Sequence, residues 1–155
     1  MALNRKRPHI ELDDSDLNIL KALSQDAKIS FADLGKKVNL TGPAVHGRVK
    51  KMENSGVIKQ YGIDIDFNLI GLPVCAFVRV QTGKLSCRDA AKLVGQFDEV
   101  IECHAVAGED DLLLKTRTAT PLDLQELLDK LKTEGIIVNS VSLFVLETHF
   151  ERARL

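Results

Sequence analysis

Positive side chains are concentrated in one stretch of the sequence, residues 41–60. The chain as a whole carries a formal net charge of −1. Within the stretch four cations stand against one anion, which gives a local net charge of +3: Arg48, Lys50, Lys51, Lys59 and Glu53. Lysine and arginine side chains at this density can bind phosphate groups or the edges of nucleic-acid bases. The same run is also typical of a solvated helix face, so charge alone leaves both interpretations open.

The spacing of apolar residues around this stretch predicts two short helices with a tight break between them. Asn39-Leu40-Thr41 lies between the two apolar stripes and is long enough only for a turn. Two helices joined in this way form a helix-turn-helix, whose second helix enters the major groove of DNA. We therefore predict double-stranded DNA as a partner. The two stripes, spaced by three and four residues, are Phe31, Leu34 and Val38 and then Val45, Val49 and Met52.

The second of these helices is predicted to present the DNA-contacting surface. Thr41 is suited to cap its N-terminus, with Gly42 and Pro43 in the first turn. Successive residues turn by about 100° around a helix axis, so His46 and Lys50 lie opposite the apolar stripe. We expect the basic side chains to meet phosphates or base edges, and His46 to lie nearest the groove with the Gly42-Pro43 turn. The candidate DNA contacts are Thr41, Gly42, Pro43, His46, Arg48, Lys50 and Lys51.

Histidine and cysteine positions do not indicate an enzyme or a metal site. The four histidines are scattered along the chain, and none accompanies a serine or cysteine motif. The three cysteines, Cys75, Cys87 and Cys103, lack the paired C-x-x-C spacing of a zinc site and are expected to be reduced. Cys87 lies near the start of a predicted helix, which leaves a redox role open. We predict no catalysis, no metal and no cofactor.

Length and composition indicate an ordinary globular protein of one or two domains. The chain has 155 residues, of which 45% are hydrophobic and 28% charged. No apolar run is long enough to span a bilayer, and the N-terminus lacks the apolar centre of a secretory signal. We therefore expect no membrane partner and a cytoplasmic location. Residues 1–11 include Arg5, Lys6 and Arg7 and are predicted to be a mobile basic tail.

The N-terminal half is predicted to be a three-helix DNA-binding domain, residues 12–58. Its first helix follows Leu12 with an acid-rich start, which suits the positive N-terminal end of a helix. After Gly56 the period changes from helical to extended, and apolar and polar residues nearly alternate over 57–66. This predicts a strand that leaves the domain and is a candidate for a small wing. Residues 59–72 are accordingly predicted to be a β linker or hinge.

The C-terminal half, residues 73–155, is predicted to follow the order β-α-β-β-α-β of a ferredoxin-like domain. The complete chain is thus α+β, with a winged helix-turn-helix domain before this module. Both helices of such a module cover one face of the sheet, so we expect the other face to pack on another subunit. The predicted elements are strands at 74–81, 100–107, 112–118 and 137–150 and helices at 86–97 and 121–133.

This combination resembles the Lrp/AsnC family, the feast/famine transcription regulators, from about Leu12 to Phe150. The resemblance implies a dimer formed through the C-terminal sheets and often assembled further into octamers. It also implies a small effector, commonly an amino acid, bound between C-terminal modules of neighbouring dimers. The segments that carry it are LDDSDLNILKAL, DLGKKVNLTGPAVHGRVKKMENSGVIKQY and HAVAGEDDLLLKTR.

The resemblance also implies effector-binding residues at two places. The family's glycine-acid turn matches Gly108, Glu109, Asp110 and Asp111, and its pair of hydroxyl residues on the last strand corresponds to Ser140 and Ser142. A glycine allows close backbone approach, and carboxylates can hold an α-ammonium group. Strand alternation places the two serines on one face, where hydroxyls could serve a ligand carboxylate. Taken without the resemblance, the same turn also fits an ordinary polar β-turn.

Two positions depart from the family pattern. Many members have an aromatic residue within or just after the glycine turn, where this chain has Asp110 and Leu112. This predicts a smaller or more polar effector, or none. Many members also have arginine or another long polar residue near position 47, where Gly47 offers no side chain. Base reading must then depend on His46, Lys50 and the Pro43 turn, with part of the sequence preference coming from DNA bending.

The sequence therefore predicts a sequence-specific transcription regulator without catalytic activity. Its predicted partners are duplex DNA, a small effector and further copies of itself, as a dimer or octamer. The alternative is an architectural DNA-binding protein, or a small-molecule-binding oligomer whose DNA contact is non-specific. The dependence of binding on salt and on DNA sequence distinguishes the two.

Overall fold

The computed structural model describes residues 10–151, which fall into two compact units. Of these residues, one unit includes 10–64 together with Phe150 and Glu151, and the other spans Ile65–His149. The change between units thus lies inside the predicted linker, 59–72. Apart from Ile10 and Glu11, the basic tail predicted for residues 1–11 lies outside the described residues.

The N-terminal unit consists of three helices: α1 at Asp14–Gln25, α2 at Phe31–Val38 and α3 at Gly42–Asn54. Each begins at a side chain that accepts a hydrogen bond from the backbone of the first turn: Asp13, Ser30 and Thr41. The helices enclose a core in which Ile19, Leu34 and Val45 are completely buried. The predicted capping by Thr41 is therefore confirmed.

The C-terminal unit is a four-stranded antiparallel sheet with two helices. Its order along the chain is β1 (Val74–Gln81), α4 (Cys87–Val94), β2 (Val100–Ala105), β3 (Leu112–Thr118), α5 (Pro121–Thr133) and β4 (Asn139–Phe144). The strands are arranged β2-β3-β1-β4 in the sheet. Ala76, Val78 and Val80 of β1 are fully buried in the core that the helices share, which includes Leu124 and Leu131 of α5. The predicted α+β fold and βαββαβ order are confirmed.

Four predicted elements differ from the structure. β2 ends at Ala105 and not at residue 107, and α4 spans Cys87–Val94 and not 86–97. The strand predicted over 57–66 has no hydrogen-bonded partner strand among residues 10–151 and belongs to no sheet. Residues 57 and 58 form a bend, and 59–66 have no regular secondary structure. The last strand was predicted to reach residue 150 but ends at Phe144. Phe144 pairs with Ala76, and the backbone N–H of Val145 still donates to Cys75 O at 2.9 Å. Because β1 begins at Val74, it offers no partner to the residues that follow. None of the described helices is long and apolar enough to cross a lipid bilayer.

Candidate functional site

Helix α3 presents a sharply two-sided surface. Val45, Val49 and Met52 are at most 1% exposed and face the core of the N-terminal unit. His46, Lys50 and the residues around them are exposed on the other side. The predicted stripe is therefore correct, and it fixes which side of α3 is available to a partner.

The turn before α3 depends on two residues with special backbone requirements. Asn39 adopts a left-handed conformation at φ 55° and ends α2. Gly35, in α2, lies so close to the turn that a Cβ there would be 2.5 Å from the carbonyl oxygen of Leu40. Only glycine permits this approach, which holds α2 and α3 at the distance that a helix-turn-helix requires.

The predicted DNA contacts at the start of α3 share one exposed surface. Thr41, Pro43 and His46 are exposed and Gly42 is half-buried. The ring of His46 packs on the ring of Phe31, whose side chain is 39% exposed. Phe31 was predicted to lie in the apolar stripe of α2, but it is the first residue of the helix and covers His46 instead of entering the core.

Lys50 and Lys51 are exposed cations on α3. Neither has an ion pair within residues 10–151. Nothing is packed within 4 Å of the position that a Cβ on Gly47 would take, so the surface between His46 and Lys50 is open. The helix can therefore come close to a partner along this side.

Arg48 differs from the other predicted contacts because its guanidinium is paired inside the protein. Its Nη1 donates to Asp13 Oδ2 at 2.7 Å and to Asp16 Oδ1 at 2.8 Å. The hydrogen bond from the backbone N–H of Asp16, and then the one from Arg48, hold the pKa of Asp13 below its usual value. Both carboxylates lie at the start of α1, where the sequence indicated only an acid-rich helix N-terminus. A cleft of about 870 Å³ borders the pair, lined partly by Leu12, Gly47 and Lys51.

The predicted effector turn is closely tied to strand β1. Arg79 Nε donates to Asp110 Oδ2 at 2.5 Å, and the backbone N–H of Thr82 donates to Asp111 Oδ2 at 2.7 Å. The side-chain amide of Gln81 donates to the backbone carbonyl of Glu109 at 3.0 Å. The carboxylates of Asp110 and Asp111 thus have partners within the chain, whereas Glu109 is exposed.

Gly108 is the residue of this turn whose backbone requires glycine. Its φ is +150°, and no atom lies within 4 Å of where a Cβ would be. The turn therefore exposes an unobstructed stretch of backbone beside the Glu109 carboxylate.

Ser140 and Ser142 lie on one face of β4, as strand alternation predicts. They pair with Val80 and Val78, which are buried under the helices. Directly paired residues of an antiparallel sheet share a face, so both serines are on the helix-covered side. Arg79 and Gln81, which contact the turn, lie on the opposite face. Within one chain, the part of the turn that Arg79 and Gln81 hold, Glu109 and Asp110, therefore lies towards the face opposite the two serines.

The cysteines are all free, with Cys75 buried and the other two half-buried. Burial raises the pKa of the Cys103 thiol, and the neighbouring Cys87 adds to the effect. No group of three histidine, cysteine or acidic residues within the described part of the chain is arranged to hold a metal ion.

Two family models match the two units described above. Residues 12–59 match a winged helix-turn-helix DNA-binding model, and residues 75–155 match the Lrp/AsnC ligand binding domain. The chain is also 32% identical to the HTH-type transcriptional regulator LrpB of Bacillus subtilis over 141 residues, which cover 91% of this chain and 95% of the relative. This chain belongs to the Lrp/AsnC family.

Solved structures agree with this assignment to the Lrp/AsnC family. A transcriptional regulator from Neisseria meningitidis in complex with L-Met has a TM-score of 0.87 and 28% identity, and the match covers 94% of this chain and 96% of that one. A feast or famine regulatory protein from Mycobacterium tuberculosis, complexed with L-methionine, has a TM-score of 0.87 and 27% identity, covering 94% and 99%. The predicted family is confirmed, and with it the function of a transcription regulator.

Proposed function

We propose that this Lrp/AsnC regulator reads duplex DNA with the exposed side of α3. Lys50 and Lys51 would contact phosphates on either side of the major groove, and the segment from Thr41 to His46 would lie nearest the bases. A single observation carries this proposal: the side of α3 that bears His46 and Lys50 is exposed, while its opposite side is completely buried. Arg48 is left out of the contact set because it is paired with Asp13 and Asp16.

We further propose that the C-terminal module binds a small effector, an amino acid, at the turn formed by Gly108, Glu109, Asp110 and Asp111. The exposed Glu109 carboxylate is the group suited to an α-ammonium ion. Relatives with the same fold are known in complex with methionine. Ser140 and Ser142 would complete such a site from a second copy, because in their own chain they lie across the sheet from the turn.

This arrangement requires a homo-oligomer, which we propose to be a dimer that assembles further into an octamer. Val141 and Leu143 alternate with the two serines and are 44% and 52% exposed. They lie on the sheet face opposite α4 and α5, together with Phe77. Burying such apolar side chains between copies is favourable. The protein would act in the cytoplasm and would bind rather than convert its ligands.

The DNA proposal is tested by selecting preferred sequences from a random pool and measuring affinity against salt concentration. Lys50→Ala should weaken binding to preferred and random DNA equally and reduce the magnitude of the salt slope by about 1. His46→Ala should instead weaken the preferred sequence selectively. Selection that enriches no sequence, with equal losses from both variants, would support the architectural alternative.

The effector proposal is tested by adding each common amino acid and recording DNA affinity and sedimentation. One or more should change the assembly state or the DNA affinity, and Glu109→Gln should abolish that response. Because Glu109 has no described side-chain partner, the variant should fold and bind DNA as the natural chain does. A panel in which no amino acid changes either quantity would contradict the effector proposal.

A further inference from the structure

We propose that Arg48 is a positioning residue, which locks α3 to the start of α1 through Asp13 and Asp16 and does not contact DNA. This inference rests on the proposed DNA binding by α3. The lock consists of one nitrogen atom, Nη1 of Arg48, and two carboxylate oxygens at 2.7 Å and 2.8 Å.

The two carboxylates are held in place by the cap of α1. Asp13 Oδ1 accepts from the backbone N–H of Asp16 at 2.8 Å, and Asp16 Oδ2 accepts from the backbone N–H of Asp13 at 3.3 Å. Each carboxylate therefore uses one oxygen for the cap and the other for Arg48. The guanidinium is thus connected to a fixed backbone turn and not to two mobile side chains.

The burial of Asp16 opposes an exchange in which Arg48 leaves the two aspartates for a DNA phosphate. Asp16 is only 5% exposed, and the Arg48 side chain is about one-third exposed. Were Arg48 to turn towards a phosphate, the Asp16 carboxylate would remain nearly buried without its cation, which is strongly unfavourable. Lys50 and Lys51 are exposed nearby and supply cations that need no such exchange.

The contact of Arg48 with the two aspartates also fixes the position of the exposed side of α3, which is proposed to contact DNA. Arg48 is next to Val49, which packs in the core, and one turn before Lys51 and Met52. Apolar packing of Val45 and Val49 allows α3 to slide or rotate slightly, since dispersion contacts are not directional. A charge-assisted hydrogen bond to two fixed oxygens is directional and removes that freedom.

The test compares Asp16→Asn with Asp14→Asn in the full-length chain. Both variants remove one negative charge from the first turn of α1, but Asp14 is exposed and has no described contact with Arg48. We expect Asp14→Asn to leave DNA affinity unchanged or slightly higher, because less negative charge faces the phosphates. Asp16→Asn should weaken affinity by roughly tenfold even though it removes the same charge.

The salt slope provides the second measurement. Arg48→Gln should weaken DNA binding by a factor similar to that of Asp16→Asn and leave the slope of log affinity against log salt unchanged. The double variant should bind no more weakly than either single variant, because both break the same contact. If Arg48 instead contacts a phosphate, Arg48→Gln reduces the slope by about 1, and Asp16→Asn increases affinity by freeing the guanidinium. Either of those results would overturn the proposal.

Folding and the underlying DNA proposal are checked separately. Thermal unfolding of each variant establishes that the assays use folded protein. If Asp16→Asn does not fold, Asp13→Asn, at the more exposed carboxylate, should give a smaller loss of affinity in the same direction. Lys50→Gln is the reference variant: if it changes neither the affinity nor the slope, DNA binding by α3 fails. If Lys50→Gln behaves as a phosphate contact while Asp16→Asn matches Asp14→Asn, only the lock fails.

Discussion

The ring of Phe31 lies 5.2 Å, centroid to centroid, from the ring of His46, and the two planes are inclined by 35°. The first residue of α2 therefore supports the exposed side chain of α3 that is proposed to lie nearest the DNA bases. Such ring contacts restrict the rotamers of both side chains. The exposed ring of Phe31 thus restricts the orientation of the His46 side chain.

Phe31→Ala is expected to reduce sequence discrimination as His46→Ala does. Without the supporting ring, His46 samples more rotamers and loses entropy when it meets a base. We expect a loss of about 1 kcal/mol of discrimination between the selected and random sequences. Competition binding with both DNAs measures it, and the salt slope should stay the same. Retained discrimination in Phe31→Ala together with its loss in His46→Ala would contradict this role.

Gly47→Ala and Gly35→Ala should change stability in opposite directions. A methyl group at Gly47 meets nothing within 4 Å, so the better helix propensity of alanine should raise the free energy of unfolding by about 1 kcal/mol. A methyl group at Gly35 would lie 2.5 Å from Leu40 O and should lower it by about 1–3 kcal/mol. Urea unfolding measures the free energy of unfolding of the two variants. If both substitutions change it in the same direction, the close approach of Gly35 to Leu40 does not constrain the turn.

The hydroxyl of Tyr61 should lose its proton at an unusually high pH. Partial burial, and then the hydrogen bond that its hydroxyl donates to Glu53 Oε1 at 2.8 Å, raise the pKa of Tyr61 to about 12. A raised pKa means that the fold favours the neutral phenol. This contribution to stability is complete below pH 10 and is lost as the pH rises from about 10 to about 12.

The measurement is direct because Tyr61 is the sole tyrosine of the chain. Ultraviolet absorbance of the tyrosinate should give one transition, and Glu53→Gln should move it downwards while the effect of burial persists. A midpoint of about 10 in the natural chain would show that the contact is absent in solution.

Asp111→Ala should destabilise the C-terminal unit, whereas Glu109→Ala should not. The Asp111 carboxylate accepts from the backbone N–H of Thr82, a residue that is 2% exposed. Leaving such a buried donor unsatisfied costs about 1–3 kcal/mol. Glu109 has no described side-chain partner, so its replacement should change the free energy of unfolding by less than about 0.5 kcal/mol. Denaturant unfolding measures the free energy of unfolding of Asp111→Ala and Glu109→Ala. Equal losses in the two variants would mean that the contact between Asp111 and Thr82 contributes little.

Local patterns predicted most of the fold because the determining interactions are close in sequence. The stripe of Val45, Val49 and Met52 and the cap at Thr41 depend on residues within two turns of helix. The bounds of β1, β3 and α5 are those that the apolar patterns predict. The segment at 57–66 was mistaken for a strand because its own residues favour β structure but do not reveal whether a partner strand exists.

The candidate site was predictable only in part. Arg48 lies 32 residues from Asp16, and spacing along one helix does not reveal a partner on another. Alternation placed Ser140 and Ser142 together but could not say which face the helices cover. The roles of Asp110 and Asp111 depend in the same way on Arg79 and Thr82, which belong to another strand and the loop after it.

The placement of the serines and the glycine-acid turn on opposite faces has a consequence for how sensitively the protein can respond. If an effector needs both groups, no isolated chain has a complete site, and binding is linked to association. The apparent dissociation constant then falls as the protein becomes more abundant, until every copy is assembled. A cell could set the effector level at which its genes respond by changing only the amount of regulator it makes.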